Sequence, residues 1–254
     1  MATVTLYPLL VFLLFFVGLA GAAWLGVIFS KMHPVPEDDL TDFSLIISAT
    51  LTLLGLIIGF SFSMAVGRYD QRKNLEEAEA NAIGTEYVRA DLLPAADAAK
   101  VRTLLLDYTD QRIAYYTVTN EDQLGEINTK TAKLQGDLWT AVAVPAVANP
   151  TQINALVVAG MNDVLNSQGY TQAAWWNRIP PAAWSLMAAI AVFSNVMVGI
   201  GGTRNKAHAS FLWVLPLVVS VAFFLISDLD SPRHGMITVV PQNLVSLVES
   251  IRPH

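Results

Sequence analysis

From Phe43 to Val66 the chain has no charged residue, and beyond Val66 it continues into charged sequence with no proline before Pro94. At ~1.5 Å per residue the apolar part is roughly 36 Å of helix, enough to cross a hydrocarbon core of ~30 Å. Arg68, Asp70, Arg72 and Lys73 then arrive within about one and a half turns. The pattern predicts one unbroken helix, apolar first and charged afterwards. Such a helix leaves the membrane still helical, and the rest of the chain has to be arranged around it.

The composition agrees. Of 254 residues, 54% are hydrophobic and 14% charged, with a mean hydropathy of +0.46; a soluble domain carries about 25% charge. The chain is therefore read as an integral membrane protein. The absence of Cys excludes a disulfide framework and thiolate chemistry. A net charge of -6, with no basic patch interleaved with aromatics, argues against a nucleic-acid partner.

Four spans are expected. The first runs over about 7–29 and is read as a retained span, because the leading MATVT lacks the basic residue of a cleaved leader. The second covers about 43–67, with Asp38 or Thr41 available as its N-cap. The third and fourth cover about 182–200 and 210–227, joined closely enough to form a hairpin. Pro180 and Pro181 suit the start of the third, and Pro216 is expected to kink the fourth. Lys and Arg are concentrated on the side of both termini and the middle segment; only Lys31, Arg204 and Lys206 fall opposite, beside Glu37, Asp38, Asp39 and Asp42. Both termini are accordingly read as cytoplasmic.

The middle is helical by its apolar spacing, with helices expected over 68–93, 96–119, 121–144 and 151–167, the last starting at Thr151 and stopping at Gly169. The fold class is therefore an all-α membrane protein with two transmembrane hairpins and a helical bundle inserted between them. Its divisions are 1–67 (first hairpin), 68–180 (cytoplasmic helical domain), 181–227 (second hairpin) and 228–254 (cytoplasmic tail).

Chemistry-bearing motifs are few. His33, His208, His234 and His254 have no ligand spacing, and neither a phosphate-cradling loop nor a nucleophile elbow occurs. Glu76, Glu77, Glu79 and Glu86 are read as a solvated or interhelically salt-bridged face rather than as catalytic acids. Trp175 and Trp176 are read as an interfacial belt, and Arg68 and Arg72 as anchors that snorkel to headgroups. No enzyme, metal or cofactor is expected.

On a helical wheel, Ser48, Thr52, Gly55, Gly59, Ser63 and Gly67 share one side of the second span, bordered by Leu56 and Phe60. Past the apolar part, Asp70, Lys73, Asn74, Glu77 and Asn81 continue that face. Ile46, Leu53, Leu54, Ile57 and Met64 lie opposite. Two readings stand. Gly55 and Gly59 can form a small-xxx-small seam for close helix packing, or the hydroxyls and glycines can line a narrow pore.

At these residues the chain resembles a bacterial bestrophin-like membrane family, and more distantly the bestrophin chloride channels. The likeness rests on the Gly-rich second span, the exit Arg68-Tyr69-Asp70-Gln71-Arg72, the run Glu77-Ala78-Glu79-Ala80-Asn81-Ala82, and the late Leu229-Asp230-Ser231-Pro232-Arg233-His234-Gly235 leading to Val239-Val240-Pro241. It implies a homo-oligomeric ion channel in the bacterial inner membrane, pentameric in true bestrophins, with the second span around the axis. Thr52, Leu56 and Phe60 match the family's pore neck, and Asp70, Lys73, Asn74, Glu77 and Asn81 would then ring the cytoplasmic mouth. Asp228, Asp230, Pro232 and Gly235 form the tail motif, where some members bind calcium; too few acids cluster here to expect that. The departures are a hydroxyl at Thr52, Ser61, Ser63 and Met64 in place of an Asn-rich exit, and two acids beside one Lys at the mouth, which argue against clean anion selection. The expected partners are lipid, further copies of the chain and inorganic ions. The rival reading is a non-conducting membrane scaffold whose helical domain binds a partner.

Overall fold

The helix that begins in the apolar run is the longest of those described. A computed structural model describes residues 7–36, 38–202 and 212–252, and among these every regular element is helical. The helices are α1 (Pro8–Met32), α2 (Leu40–Arg89), α3 (Ala95–Thr117), α4 (Glu121–Ala148), α5 (Gln152–Trp176), α6 (Pro181–Gly201), α7 (Val214–Asp230) and α8 (Gln242–Ile251). A single 3₁₀ turn, Ala90–Leu92, follows α2. Arg204, Lys206, His208, His254, Glu37 and the expected start of the fourth span at Ser210 lie outside the described residues. The chain divides into two compact units. One holds the described residues up to Arg68 together with 178–238; the other holds Tyr69–Asn177 and the stretch from Val239 onward. The expected tail is thus split, its first part belonging with the apolar helices.

In the apolar unit α1 is the organising element, packing along both α6 and α7, which touch each other only slightly. The close approach of α1 and α6 rests on two glycines. A Cβ on Gly26 would overlap the Val196 carbonyl oxygen, and a Cβ on Gly199 would overlap that of Ala23. Ala22, Ala23 and Ser30 complete the buried small face of α1, the arrangement expected where lipid supplies no hydrophobic drive and backbones must come together for dispersion contacts. The sequence reading offered Gly55 and Gly59 as a small-residue seam, yet an added Cβ at either meets nothing within 4 Å. Three helical stretches, Pro8–Met32, Thr41–Leu92 and Gln152–Gly201, are long and apolar enough to cross a membrane. The described α7 has 17 residues, at the short end of the ~17–25 needed. Pro216 is the third residue of α7 and not a mid-helix kink, because a first-turn N–H has no intrahelical partner to lose.

The other unit packs α3 on α4, α4 on α5 and α8 on α3, around a core that includes Ile83, Leu105, Tyr108, Leu138, Met161 and Leu244. Asn120 caps α4 by accepting from the Asp122 and Gln123 N–H groups, and Thr151 caps α5 by accepting from Asn154. Two expected stops fail. α5 runs through Gly169 because its buried face continues with Thr171, Ala174 and Trp175, worth more than the ~1 kcal/mol a helical glycine costs. α4 runs through Pro145 to Ala148, and the Asn149 N–H still bonds to the Pro145 carbonyl. Trp175 is buried against Tyr115 and Tyr116, so only the exposed Trp176 can act as a belt residue.

The α1–α6 contact predicts that Gly199→Ala lowers stability by about 1–3 kcal/mol through overpacking, while Gly55→Ala, with open space around it, raises stability by up to about 1 kcal/mol. Thermal unfolding of both variants in one detergent is the check.

Candidate functional site

α2 has distinct buried and exposed faces from Arg72 onward, whereas over its apolar run only Leu54, Ser61 and Ala65 are buried and most of its surface is exposed. Buried in the chain are Leu54, Ser61, Ala65, Arg72, Glu76, Glu79, Ile83 and Glu86, a row at helical spacing. Of the bulky side expected opposite the stripe, only Leu54 belongs to this row; Ile57 is half-buried, and Ile46, Leu53 and Met64 are exposed. The stripe itself is exposed throughout: Ser48, Thr52, Gly55, Leu56, Gly59, Phe60, Ser63 and Gly67, then Asp70, Lys73, Asn74, Glu77 and Asn81. Leu56 is 52% and Phe60 66% exposed, so neither is a core residue of this chain. Ser48 donates to the Ser44 carbonyl at 2.9 Å and Thr52 to that of Ser48 at 2.8 Å. Their hydroxyl hydrogens are spent on their own helix, and what they present outward is oxygen lone pairs.

The buried face becomes ionic at the end of the apolar run. Arg68 does not snorkel: its guanidinium lies 3.3 Å from Asp230, and Asp230 also accepts from the Ile179 N–H at 3.1 Å with each carboxylate oxygen. Arg72, 1% exposed, donates through Nε to the Ala174 carbonyl and is likewise no headgroup anchor. Further on, Glu76 accepts from the Leu244 N–H at 2.9 Å and from Asn243 Nδ2 at 2.6 Å. Pro241 precedes α8 and offers no side-chain cap, so Glu76 caps that helix from α2, where a carboxylate also suits the helix dipole. Tyr87 holds the other end of α8 by donating to the Ile251 carbonyl. Glu79 takes Arg112 Nε at 2.5 Å together with the hydroxyls of Tyr116 and Thr171. Burial pulls the Arg112 guanidinium down, and the charge and hydrogen bond of Glu79 together with the phenols of Tyr108 and Tyr116 raise it overall. Burial first, then the charge of Glu79, pushes the phenols of Tyr108 and Tyr116 well above the ordinary range. Glu76, Glu79 and Glu86 are thus buried rather than solvated, and only Glu77 of that set faces water.

The tail motif is a self-contained turn. Asp228 accepts from the Met236 N–H at 2.6 Å and the Ile237 N–H at 2.8 Å. Gly235 donates to the Ser231 carbonyl, and a Cβ there would crowd the Asp228 and Ser231 carbonyl oxygens. Pro232 is buried. The turn does not suit calcium, which takes ~6–8 oxygen ligands. The carboxylate oxygens of Asp228 and Asp230 face N–H donors, and no group of three metal-ligating side chains occurs among the described residues. The helical spacing of α2 could reveal its two faces, but nothing local to Glu76 or Asp230 could reveal partners more than 160 and 50 residues away.

Among the described residues, the site is thus a long helix with an exposed face of glycines and hydroxyls, whose buried residues turn from apolar to ionic, in an all-helical chain with stretches long and apolar enough to cross a membrane. The bestrophin-like domain matches residues 13–244, and the chain belongs to the bestrophin-like family. The fold is similar to that of a bacterial bestrophin homologue from Klebsiella pneumoniae. One structure of it, a tyrosine-to-alanine variant, superposes with a TM-score of 0.64 at 13% identity, over 92% of this chain and 98% of that one. Another, a tryptophan-to-alanine variant, gives a TM-score of 0.66 at 13% identity, over 94% and 93%. No curated protein is detectably similar in sequence.

Removing one partner of a buried ion pair costs about 3–5 kcal/mol, and removing both costs far less. Asp230→Ala is therefore expected to unfold at markedly lower temperature than Arg68→Met/Asp230→Ala; equal losses in the two would show that Arg68 is not the partner that matters.

Proposed function

We propose that the chain is the subunit of an oligomeric ion pathway in a bacterial inner membrane. In this reading α7 joins the three longer apolar stretches as a fourth span, both termini and the polar unit are cytoplasmic, and copies assemble, five of them if the family habit holds, with α2 about a common axis. Thr52, Leu56 and Phe60 form the neck. Ser48, Gly55, Gly59, Ser63 and Gly67 line the path beside it, and Asp70, Lys73, Asn74, Glu77 and Asn81 ring its cytoplasmic mouth. The observation that carries the reading is that this whole stripe is left exposed by the fold, while the small-residue seam the chain does use lies between α1 and α6. Most of the apolar run is exposed as well, so what sets the stripe apart is its glycines and hydroxyls together with its exposure.

Bulky apolar side chains at Leu56 and Phe60, one turn apart, suit a constriction that gates by dewetting. The mouth carries two acids against one Lys, and the outward oxygen of Thr52 is an acceptor; both argue against selection of anions.

The reading is tested by reconstituting the purified chain in planar bilayers with Thr52→Ala and Phe60→Ala variants. A pathway changes its unit conductance or reversal potential severalfold while the oligomer in detergent persists. Absence of current in every variant, or a monomer in detergent, would sink it in favour of a non-conducting scaffold.

A further inference from the structure

Glu86 is the one buried acid of α2 for which the fold provides no hydrogen bond. It is 0% exposed, and neither carboxyl oxygen has a partner among the described residues. Its carboxyl group occupies a notch in α5 opened by Gly160: a Cβ there would overlap Glu86 Oε2 and Arg89 Nη1. The charges acting on it are Arg89, three residues on along α2, and Asp163 on α5, one turn past the notch. The 3₁₀ turn, which also packs on α5, brings Asp91, but that carboxylate is exposed and held by Arg102. Its neighbours Glu76 and Glu79, one helical face with it, are by contrast fully engaged by donors.

We infer that Glu86 is a proton-operated bolt between the charged extension of α2 and α5: protonated, it rests in the Gly160 notch without a donor, and on losing its proton it swings onto Arg89 at the edge of that notch and loosens the packing of the two helices. The reason is electrostatic. A neutral carboxyl tolerates a dry slot without donors, whereas a carboxylate there is unsolvated, faces Asp163 and is drawn to the Arg89 guanidinium beside it. Burial is the main cause that lifts its pKa to about 8, with Arg89 lowering and Asp163 raising it. The sign follows from linkage. The unfolded chain loses this proton near the ordinary value of 4.5 and the folded one only near 8, so folded stability falls as pH rises between those values and levels off above. If α2 lines an ion pathway, the bolt makes that pathway responsive to alkaline pH. That consequence rests on the proposed function; the bolt itself does not.

The test is hydrogen exchange of the full chain in detergent, corrected for intrinsic pH dependence and read at α5 amides around Gly160, from about pH 6 to about pH 9, a window that brackets the folded value. Wild type should lose protection steadily from about pH 6, by more than about tenfold in all, and level off above about 8. Glu86→Gln, which fills the same notch and cannot ionise, should hold full protection across the range. Asp163→Asn should move the levelling-off point down and Arg89→Gln up. A wild-type profile flat with pH, or the same loss in Glu86→Gln, would overturn the bolt. Current recorded in parallel separates the two claims: a pH-dependent exchange that Glu86→Gln abolishes, with no current in any variant, keeps the bolt and removes the pathway.

Discussion

The ion pair of Glu79 and Arg112, with neither side chain exposed, ties three helices of the polar unit to one carboxylate, and breaking it from one side would strand a buried charge. Taking two charges out of water costs several kcal/mol each, repaid only where remaining polar atoms are satisfied. The fold meets that condition for the carboxylate by convergence, while Arg112 Nη1 is left without a hydrogen bond among the described residues. Tyr116 and Thr171 donate to the same carboxylate, and the guanidinium lies over the Tyr115 ring at 4.5 Å. Residues from α2, α3 and α5 must be in register for this to happen. The aromatic cluster of Tyr115, Tyr116 and Trp175 then packs around the pair and keeps water from it. A solvated row of glutamates would have imposed none of this register.

The sequence revealed α2 and its two faces because amphipathic spacing is a local property. It also marked the helical class, the start of α5 at Thr151 and the departure of the chain at Pro180 and Pro181, since caps and prolines act over a few residues. Of its two alternatives for the acids, the interhelical salt bridge holds for Glu79, and the solvated face fails for Glu76 and Glu86, which are buried. A run such as Glu76-Glu77-Ala78-Glu79 reads as a water-facing surface unless one knows what lies against it, and the partners Asn243, Arg112 and Thr171 come from three other helices. The same limit explains Trp175 and Arg72, whose residue types favour an interface while their neighbours place them in a core. Whether the exposed stripe conducts is likewise not a local property, because it depends on what faces it from outside the chain.

Glycine shows the same division between local and tertiary meaning. Gly26 and Gly199 have a visible purpose, since two backbones meet there, as do Gly160, which admits Glu86, and Gly235, which admits two carbonyls. Gly169 has none in sight and is carried by the burial around it. In sequence these positions are indistinguishable from Gly55 and Gly59, which is why a small-xxx-small pattern alone does not say which glycines meet a neighbouring backbone within the protomer.

That comparison bears on the stripe. A glycine in an exposed helix interior costs roughly 1 kcal/mol relative to Ala, so Gly55, Gly59 and Gly67 together weaken α2 without any contact in the protomer that offsets the loss. Open glycines are not informative singly, for Gly18 and Gly125 are open too. What separates the α2 set is that all three share a face with Ser48, Thr52 and Ser63, whereas the other side of the same helix carries the bulky residues. Two of those hydroxyls already donate to the backbone, which leaves acceptor oxygens and glycines between the exposed side chains of Leu56 and Phe60. Against lipid such a face gains nothing over a leucine row. In the proposed pathway, the space left by the missing side chains is what hydrated ions, or the α2 of another copy, would use.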